Sequence, residues 1–231
     1  MLLRNALHSL TSLFFPKLCA GCGNDLFGKE EVLCIACIDK LPVTNFHSHS
    51  ANPVEKIFWG RLPLASASSY LYFTKDSLLQ QLLHLFKYDG NKALGFYLGR
   101  CMGKSFLESN RFNVDALIPL PLHPVKEKRR GYNQATILCE GIAEIMQIPI
   151  LKNSVIRPTV TETQTHKNRI ERWQNIEGKF MLADPETVNN KHVLLIDDVV
   201  TTGATLEACG KQLLAADGVR LSIATLAYTS L

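Results

Sequence analysis

One stretch limits the possible folds of this 231-residue chain more than any other: His192-Val-Leu-Leu-Ile-Asp197-Asp198-Val-Val-Thr201-Thr202-Gly203-Ala204-Thr205-Leu206. An apolar run ends at two adjacent carboxylates, and a short threonine-rich loop with one glycine then opens a helix. In open α/β sheets, ligands bind beyond the carboxyl ends of the strands. A helix N-terminus presents unpaired N–H groups and the positive end of the helix dipole, which together suit a phosphate. Thr201, Thr202 and Thr205 add hydroxyl donors, and Gly203 lets the backbone approach closely. The two acids cannot hold a phosphate themselves; they suit ribose hydroxyls or a ligand-held Mg²⁺. The local chemistry is that of a sugar carrying a phosphate. No GxxxxGK[ST] or GxGxxG occurs, so neither a Walker A loop nor a dinucleotide fingerprint explains it.

The surrounding pattern supplies a matching architecture. A strand is expected near 65–72, helices over 76–88 and 92–107, and a strand over 114–120. A helix over 131–146, strands over 149–156 and 192–196, a helix over 203–216 and a strand over 219–228 complete the series. In the first of these helices Leu78, Leu79, Leu82, Leu83 and Phe86 form one apolar face, and Asp89-Gly90 stops it. Strands alternating with helices give an α/β fold with a mostly parallel sheet covered on both faces. Residues 43–63 lack periodicity and read as a connector, with His47 and His49 in a polar loop.

Four of the seven cysteines are grouped as Cys19-Ala-Gly-Cys22 and Cys34-Ile-Ala-Cys37. Two CxxC turns close a tetrahedral thiolate cage of the kind Zn²⁺ prefers. Such a site is coordinatively closed and therefore structural. An iron–sulfur cluster would use the same ligands; a disulfide pair or a redox CxxC fits the arrangement less well. Cys101, Cys139 and Cys209 are scattered and read as small buried hydrophobes.

VLLIDDVVTTGAT resembles the phosphoribosyl-diphosphate loop of type I phosphoribosyltransferases. The cysteine knuckle, Phe86-Lys87-Tyr88-Asp89-Gly90, Ile118-Pro-Leu-Pro-Leu-His123-Pro124 and Arg130-Gly131-Tyr132-Asn133-Gln134 are similar to the ComF family. That resemblance spans nearly the whole chain. It implies a type I phosphoribosyltransferase-like parallel sheet with flanking helices over 43–231, preceded by an N-terminal helix and zinc knuckle over 1–42. By it, Asp197 and Asp198 take the ribose hydroxyls, while Thr201, Thr202, Gly203, Ala204 and Thr205 take the 5′-phosphate. The ligand would be phosphoribosyl diphosphate (PRPP) with Mg²⁺, and the acceptor is not readable. The family's competence role implies single-stranded DNA or competence proteins as alternative partners, with a non-catalytic, PRPP-sensing part in DNA uptake.

A diphosphate leaving group needs cations. Lys126, Lys128, Arg129 and Arg130 follow a strand end, and Lys87 ends its own helix; Lys87, Arg129 and Arg130 are the expected contacts. The polar loop 157–175 holds Gln164, Lys167 and Arg169 and corresponds to the flexible flap of type I enzymes. No general base stands out, His123 and His166 being candidates by position alone. A formal charge of +4 is too small to argue for nucleic acid by itself. The N-terminal residues 1–15 have apolar residues at helical spacing and read as an amphipathic helix packing on the body. They are too short and interrupted to span a bilayer, and they lack a signal-peptide core. A cytoplasmic protein is expected.

Overall fold

The computed structural model describes residues 17–26, 31–158 and 180–229. At its centre lies strand β5 (His192–Val200), inside a parallel four-stranded sheet of order β1-β6-β5-β2, where β1 is Ser66–Tyr72, β2 Ala116–Pro119 and β6 Arg220–Tyr228. Leu194 pairs with Ser222 on one side, and Leu195 with Ile118 on the other. Both faces of β5 are apolar, as a strand covered on both sides requires. Leu194 and Ile196 enter one hydrophobic core, while Val193 and Leu195 enter the other.

Helices α3 (Leu78–Tyr88), α4 (Lys92–Leu107) and α6 (Gln134–Met146) cover the first face. Phe86, Leu98 and Leu138 are fully buried there. α4 and α6 touch through glycines. A Cβ on Gly99 would sit 2.4 Å from the carbonyl oxygen of Leu138, and one on Gly141 would sit 2.2 Å from that of Phe96. Helices α2 (Pro53–Phe58) and α7 (Ala204–Leu213) cover the second face with Val54, Phe58, Leu206 and Leu213. The cysteine-bearing N-terminal segment, with helix α1 (Ile35–Asp39), shares the first core: Cys19, Leu33 and Cys37 pack there with Leu79 and Leu82.

Four expectations are modified. The segment 149–156 does not form one strand. Ile150 makes a parallel bridge to Leu117, a turn at Lys152-Asn153 breaks the run, and β3 (Val155–Ile156) pairs antiparallel with β4 (Met181–Leu182) in a separate sheet. β5 runs through both acids to Val200, because β6 goes on pairing with Asp197, Val199 and Val200. The connector 43–63 contains a 3₁₀ turn (Phe46–Ser48) and α2. Pro53 starts α2, and the Asn52 side chain caps it, accepting from the N–H groups of Val54 and Glu55. His47 is buried rather than in a polar loop. The basic segment after β2 is itself a helix, α5 (Pro124–Arg130), ended by Gly131 at φ +77°, so α6 begins only at Gln134. The expected N-terminal helix and the flap residues Gln164, His166, Lys167 and Arg169 lie outside the described residues.

Candidate functional site

The carboxyl ends of β2 and β5 enclose a cavity of about 300 Å³. Asp197, Asp198, Thr201 and Thr205 line it from β5 and its loop, and Lys126, Arg130 and Gln134 from the β2 side. Lys87 and Arg157 complete the cationic wall. Beside it, residues 199–206 and Asp197 shape a smaller cradle of about 60 Å³ at the start of α7. Thr202, Gly203 and Ala204 belong to this cradle, with Thr201 and Thr205 shared between the two. Its open end is the α7 N-terminus, where N–H groups and the helix dipole favour an anion.

The charges here are strongly coupled. Lys87 Nζ lies 2.9 Å from the Asp198 carboxylate, with both side chains largely buried. Burial, and then the neighbouring Asp198 charge, push the Asp197 carboxyl up from 3.8 to about 8. Without ligand, one acid is thus offset by an ammonium and the other by a proton. Lys87 is positioned by its surroundings: the Tyr132 hydroxyl donates to the carbonyl of Phe86, and the Arg130 guanidinium lies 5.5 Å from the centre of the Tyr88 ring. Asn133 joins the start of α6 to the end of β2, donating to Leu120 O at 2.9 Å and accepting from Ala135 N at 2.9 Å.

Two buried donors face this cavity without a partner among the described residues. Gln134 is 2% exposed, and its Nε2 makes no hydrogen bond, although Arg130 Nη1 donates to its Oε1 at 2.7 Å. Arg130 Nε is likewise unpaired. Unpaired buried donors cost free energy, on the order of 1–3 kcal/mol each, which an acceptor-rich ligand would recover.

The structure separates the basic residues that the sequence grouped together. Lys126 and Arg130, four apart on α5, line the cavity; Lys128 and Arg129 do not. His123 is the N-cap of α5, its Nδ1 accepting from Val125 N at 3.3 Å, and it does not line the cavity. Three contributors had not been singled out for these roles: Gln134, Arg157 and Arg61. Arg61 holds the threonine loop from behind. Its guanidinium donates to Thr202 O at 2.8 Å and Ile57 O at 3.0 Å and forms an ion pair with Glu207 in the first turn of α7. α2 supports the same turn. Gly203 has φ +71°, and a Cβ there would lie 2.7 Å from Ile57 Cγ2 and 2.8 Å from Phe58 Cε1.

At the other end of the chain, ligand atoms from Cys19, Cys22, Cys34 and Cys37 all lie within 4.8 Å of one another. Cys22 Sγ and Cys34 Sγ are 3.7 Å apart, against about 3.8 Å for a tetrahedron of Zn–S bonds of about 2.3 Å. Burial opposes ionisation of Cys19, but the N–H groups of Cys34, Cys22 and Gly21 outweigh it and bring the thiol down to about 6. The cluster is therefore compatible with a zinc knuckle. It is the one metal-capable group of His, Cys, Asp and Glu side chains among the described residues.

The phosphoribosyl transferase domain family matches residues 131–230, which include α6 and the β5 loop. Competence protein F of Haemophilus influenzae is 34% identical over 215 residues, covering 90% of this chain and 89% of that protein. The chain belongs to the competence protein F (ComF) family. The family extends to the DNA utilization protein YhgH of Salmonella typhi, 28% identical over 202 residues, with 86% of this chain and 78% of that one covered. Among solved structures, the glutamine phosphoribosylpyrophosphate (PRPP) amidotransferase of B. subtilis overlaps 61% of this ComF chain and 30% of its own, at 17% identity and a TM-score of 0.43. No helix among the described residues of this family member is long and apolar enough to cross a membrane.

Proposed function

We propose that the chain binds phosphoribosyl diphosphate between β5 and β2 and has the site of a phosphoribosyltransferase. The observation that carries this reading is a cavity with carboxylates at one wall and unpaired buried donors of Gln134 and Arg130 at the other, opening onto an anion cradle. The cradle takes the 5′-phosphate, Asp197 and Asp198 take the ribose hydroxyls, and Lys126, Arg130, Gln134 and Arg157 face the diphosphate. Mg²⁺ carried by the ligand would spread the diphosphate charge and suit the acidic wall. The residues of the chain position the sugar and stabilise charge, with no covalent part for the protein. Zn²⁺ in the four-cysteine knuckle would staple residues 1–42 onto the body formed by 43–231, and free thiolates of this kind suit the reducing cytoplasm.

Isothermal titration with PRPP and Mg²⁺ tests the site. Wild type should bind, and Asp197→Asn/Asp198→Asn should lose at least tenfold in affinity. Wild type that fails to bind under these conditions would sink the reading. A second, non-catalytic reading draws on α5. This helix buries none of its residues, and Lys128 and Arg129 point away from the cavity, leaving them available to a polyanion such as single-stranded DNA. It predicts DNA binding that falls steeply with salt and with Lys128→Ala/Arg129→Ala, while PRPP titration stays unchanged.

A further inference from the structure

The largest cavity of the described residues, about 940 Å³, is not the sugar-phosphate pocket but its neighbour. The two share Lys87, Val199 and Thr201 and lie side by side along the carboxyl edge of the sheet. Their chemistry differs sharply. Every ammonium and guanidinium group facing the smaller cavity, apart from Lys87, comes from the β2 side or from Arg157 beyond β3. The larger cavity sits over the other side, where Phe73 follows β1 and Thr229 follows β6, with α3 as its outer wall. If the diphosphate occupies the cationic side, a nucleophile approaching the anomeric carbon from the opposite face must come from this second space.

We infer that the cavity between α3 and the ends of β1, β6 and β5 is the acceptor site, and that its acceptor is a neutral, flat heteroaromatic amine. The inference rests on the sugar-phosphate reading above. Three observations select the chemistry. First, Lys87 is the one ammonium or guanidinium among the described lining residues, and Asp198 already neutralises it at 2.9 Å. An acidic acceptor would have no counter-charge there, and Asp76 at the rim would repel it. Second, Phe73, Leu83, Leu85 and Val199 make broad apolar walls, which exceed what ammonia could use by more than an order of magnitude in volume. Third, hydrogen-bonding groups are placed at the edge. Gln81 is exposed and uncommitted to any printed contact, whereas Gln80 already accepts from Asp76 N at 2.8 Å. His84 stacks on Tyr88 with ring centres 5.0 Å apart, presenting aromatic surface along the opening.

In the transfer, the acceptor nitrogen supplies the electron pair for the new C1–N bond. The C1–O bond to diphosphate breaks, the diphosphate leaves with that pair, and the proton on nitrogen passes to water. Val199 and Thr201, shared by both cavities, stand where the two reactants meet.

The test uses full-length zinc-loaded protein, saturated with PRPP and Mg²⁺, and saturation-transfer NMR with four probes: adenine and uracil as neutral bases, orotate and nicotinate as acidic ones. Gln81→Trp fills the cavity from an exposed helical position away from the sugar-phosphate residues. Wild type is expected to bind a neutral base at least tenfold more tightly than either acid. Gln81→Trp should lose at least tenfold in base affinity and keep PRPP affinity within twofold. Preferential binding of an acid, no binding of any base by the PRPP complex, or base binding unaffected by Gln81→Trp each overturns the inference. A wild type that does not titrate with PRPP overturns the underlying site reading instead, and the first titration shows this before any base is added.

Discussion

Replacing Arg61 with alanine probes whether the threonine loop is held in its binding shape from outside the cavity. Arg61 bonds to the carbonyls of Thr202 and Ile57 and to the Glu207 carboxylate. A buried hydrogen bond from a charged donor is worth about 1.5–3 kcal/mol net. The Arg61 side chain is 35% exposed, so water replaces part of each lost contact, and about 1–2 kcal/mol is a fair total for the loop. If that energy keeps the loop competent, its loss lowers the competent fraction, and apparent PRPP affinity should drop about tenfold. A charge effect adds to this. Glu207 keeps Lys211 at 2.9 Å but loses the guanidinium, leaving more negative charge one turn from the phosphate cradle. Isothermal titration of Arg61→Ala, Arg61→Lys and Arg61→Ala/Glu207→Gln separates these contributions. Lysine should restore the charge but not the two carbonyl contacts, giving an intermediate affinity; the double variant should recover the part due to charge. Arg61→Ala binding PRPP within twofold of wild type would refute the reasoning.

Three further outcomes are expected. Asp197→Asn should stabilise the ligand-free protein in a pH-dependent way. The folded carboxyl holds its proton up to about pH 8, whereas an unfolded aspartate releases it near 3.8, so wild-type stability falls as pH rises between these values. The variant's advantage in melting midpoint should be small near pH 4 and largest near pH 8. Because the carboxyl borders an open cavity, it should be on the order of 1–3 kcal/mol; an advantage that shrinks with pH would reverse the sign of the argument. Gly203→Ala combines a left-handed backbone with a clash against Ile57 and Phe58. It should cost about 2–3 kcal/mol in chemical denaturation and weaken PRPP binding as well. For the knuckle, native mass spectrometry should find one zinc per chain. Stripping it with a strong chelator should lower the melting midpoint by about 5–10 °C, since Cys19 and Cys37 belong to the same core as α3; an unchanged midpoint would mean the cysteines are not a structural staple.

The legible part of the site was the part coded locally. Asp197, Asp198 and Thr201–Thr205 are contiguous, and the strand–loop–helix in which they sit is written in fewer than twenty residues. The basic segment shows what one missed helix costs. With Pro124 at the start and Gly131 as terminator, α5 could have been recognised, and the four-residue spacing would then have favoured Lys126 and Arg130 over Arg129. The 149–156 segment failed for a related reason. Its apolar residues suggested one strand, but the polar Lys152-Asn153 turn takes the chain out of the main sheet, and β3 finds a partner in β4 instead.

By itself, the sequence determined the α/β class, the phosphate-binding turn and the thiolate quartet, because each depends on short-range periodicity or on side chains within a few residues of one another. Only the tertiary structure decided which charges meet. Lys87 reaches Asp198, and Arg61 reaches Thr202 and Glu207, across more than a hundred residues of chain. No local pattern encodes such encounters; they exist because parallel strands bring distant carboxyl ends to one edge of a single sheet. The same convergence leaves the buried donors of Gln134 and Arg130 facing the acids, and sets the uncharged acceptor cavity beside the cationic one.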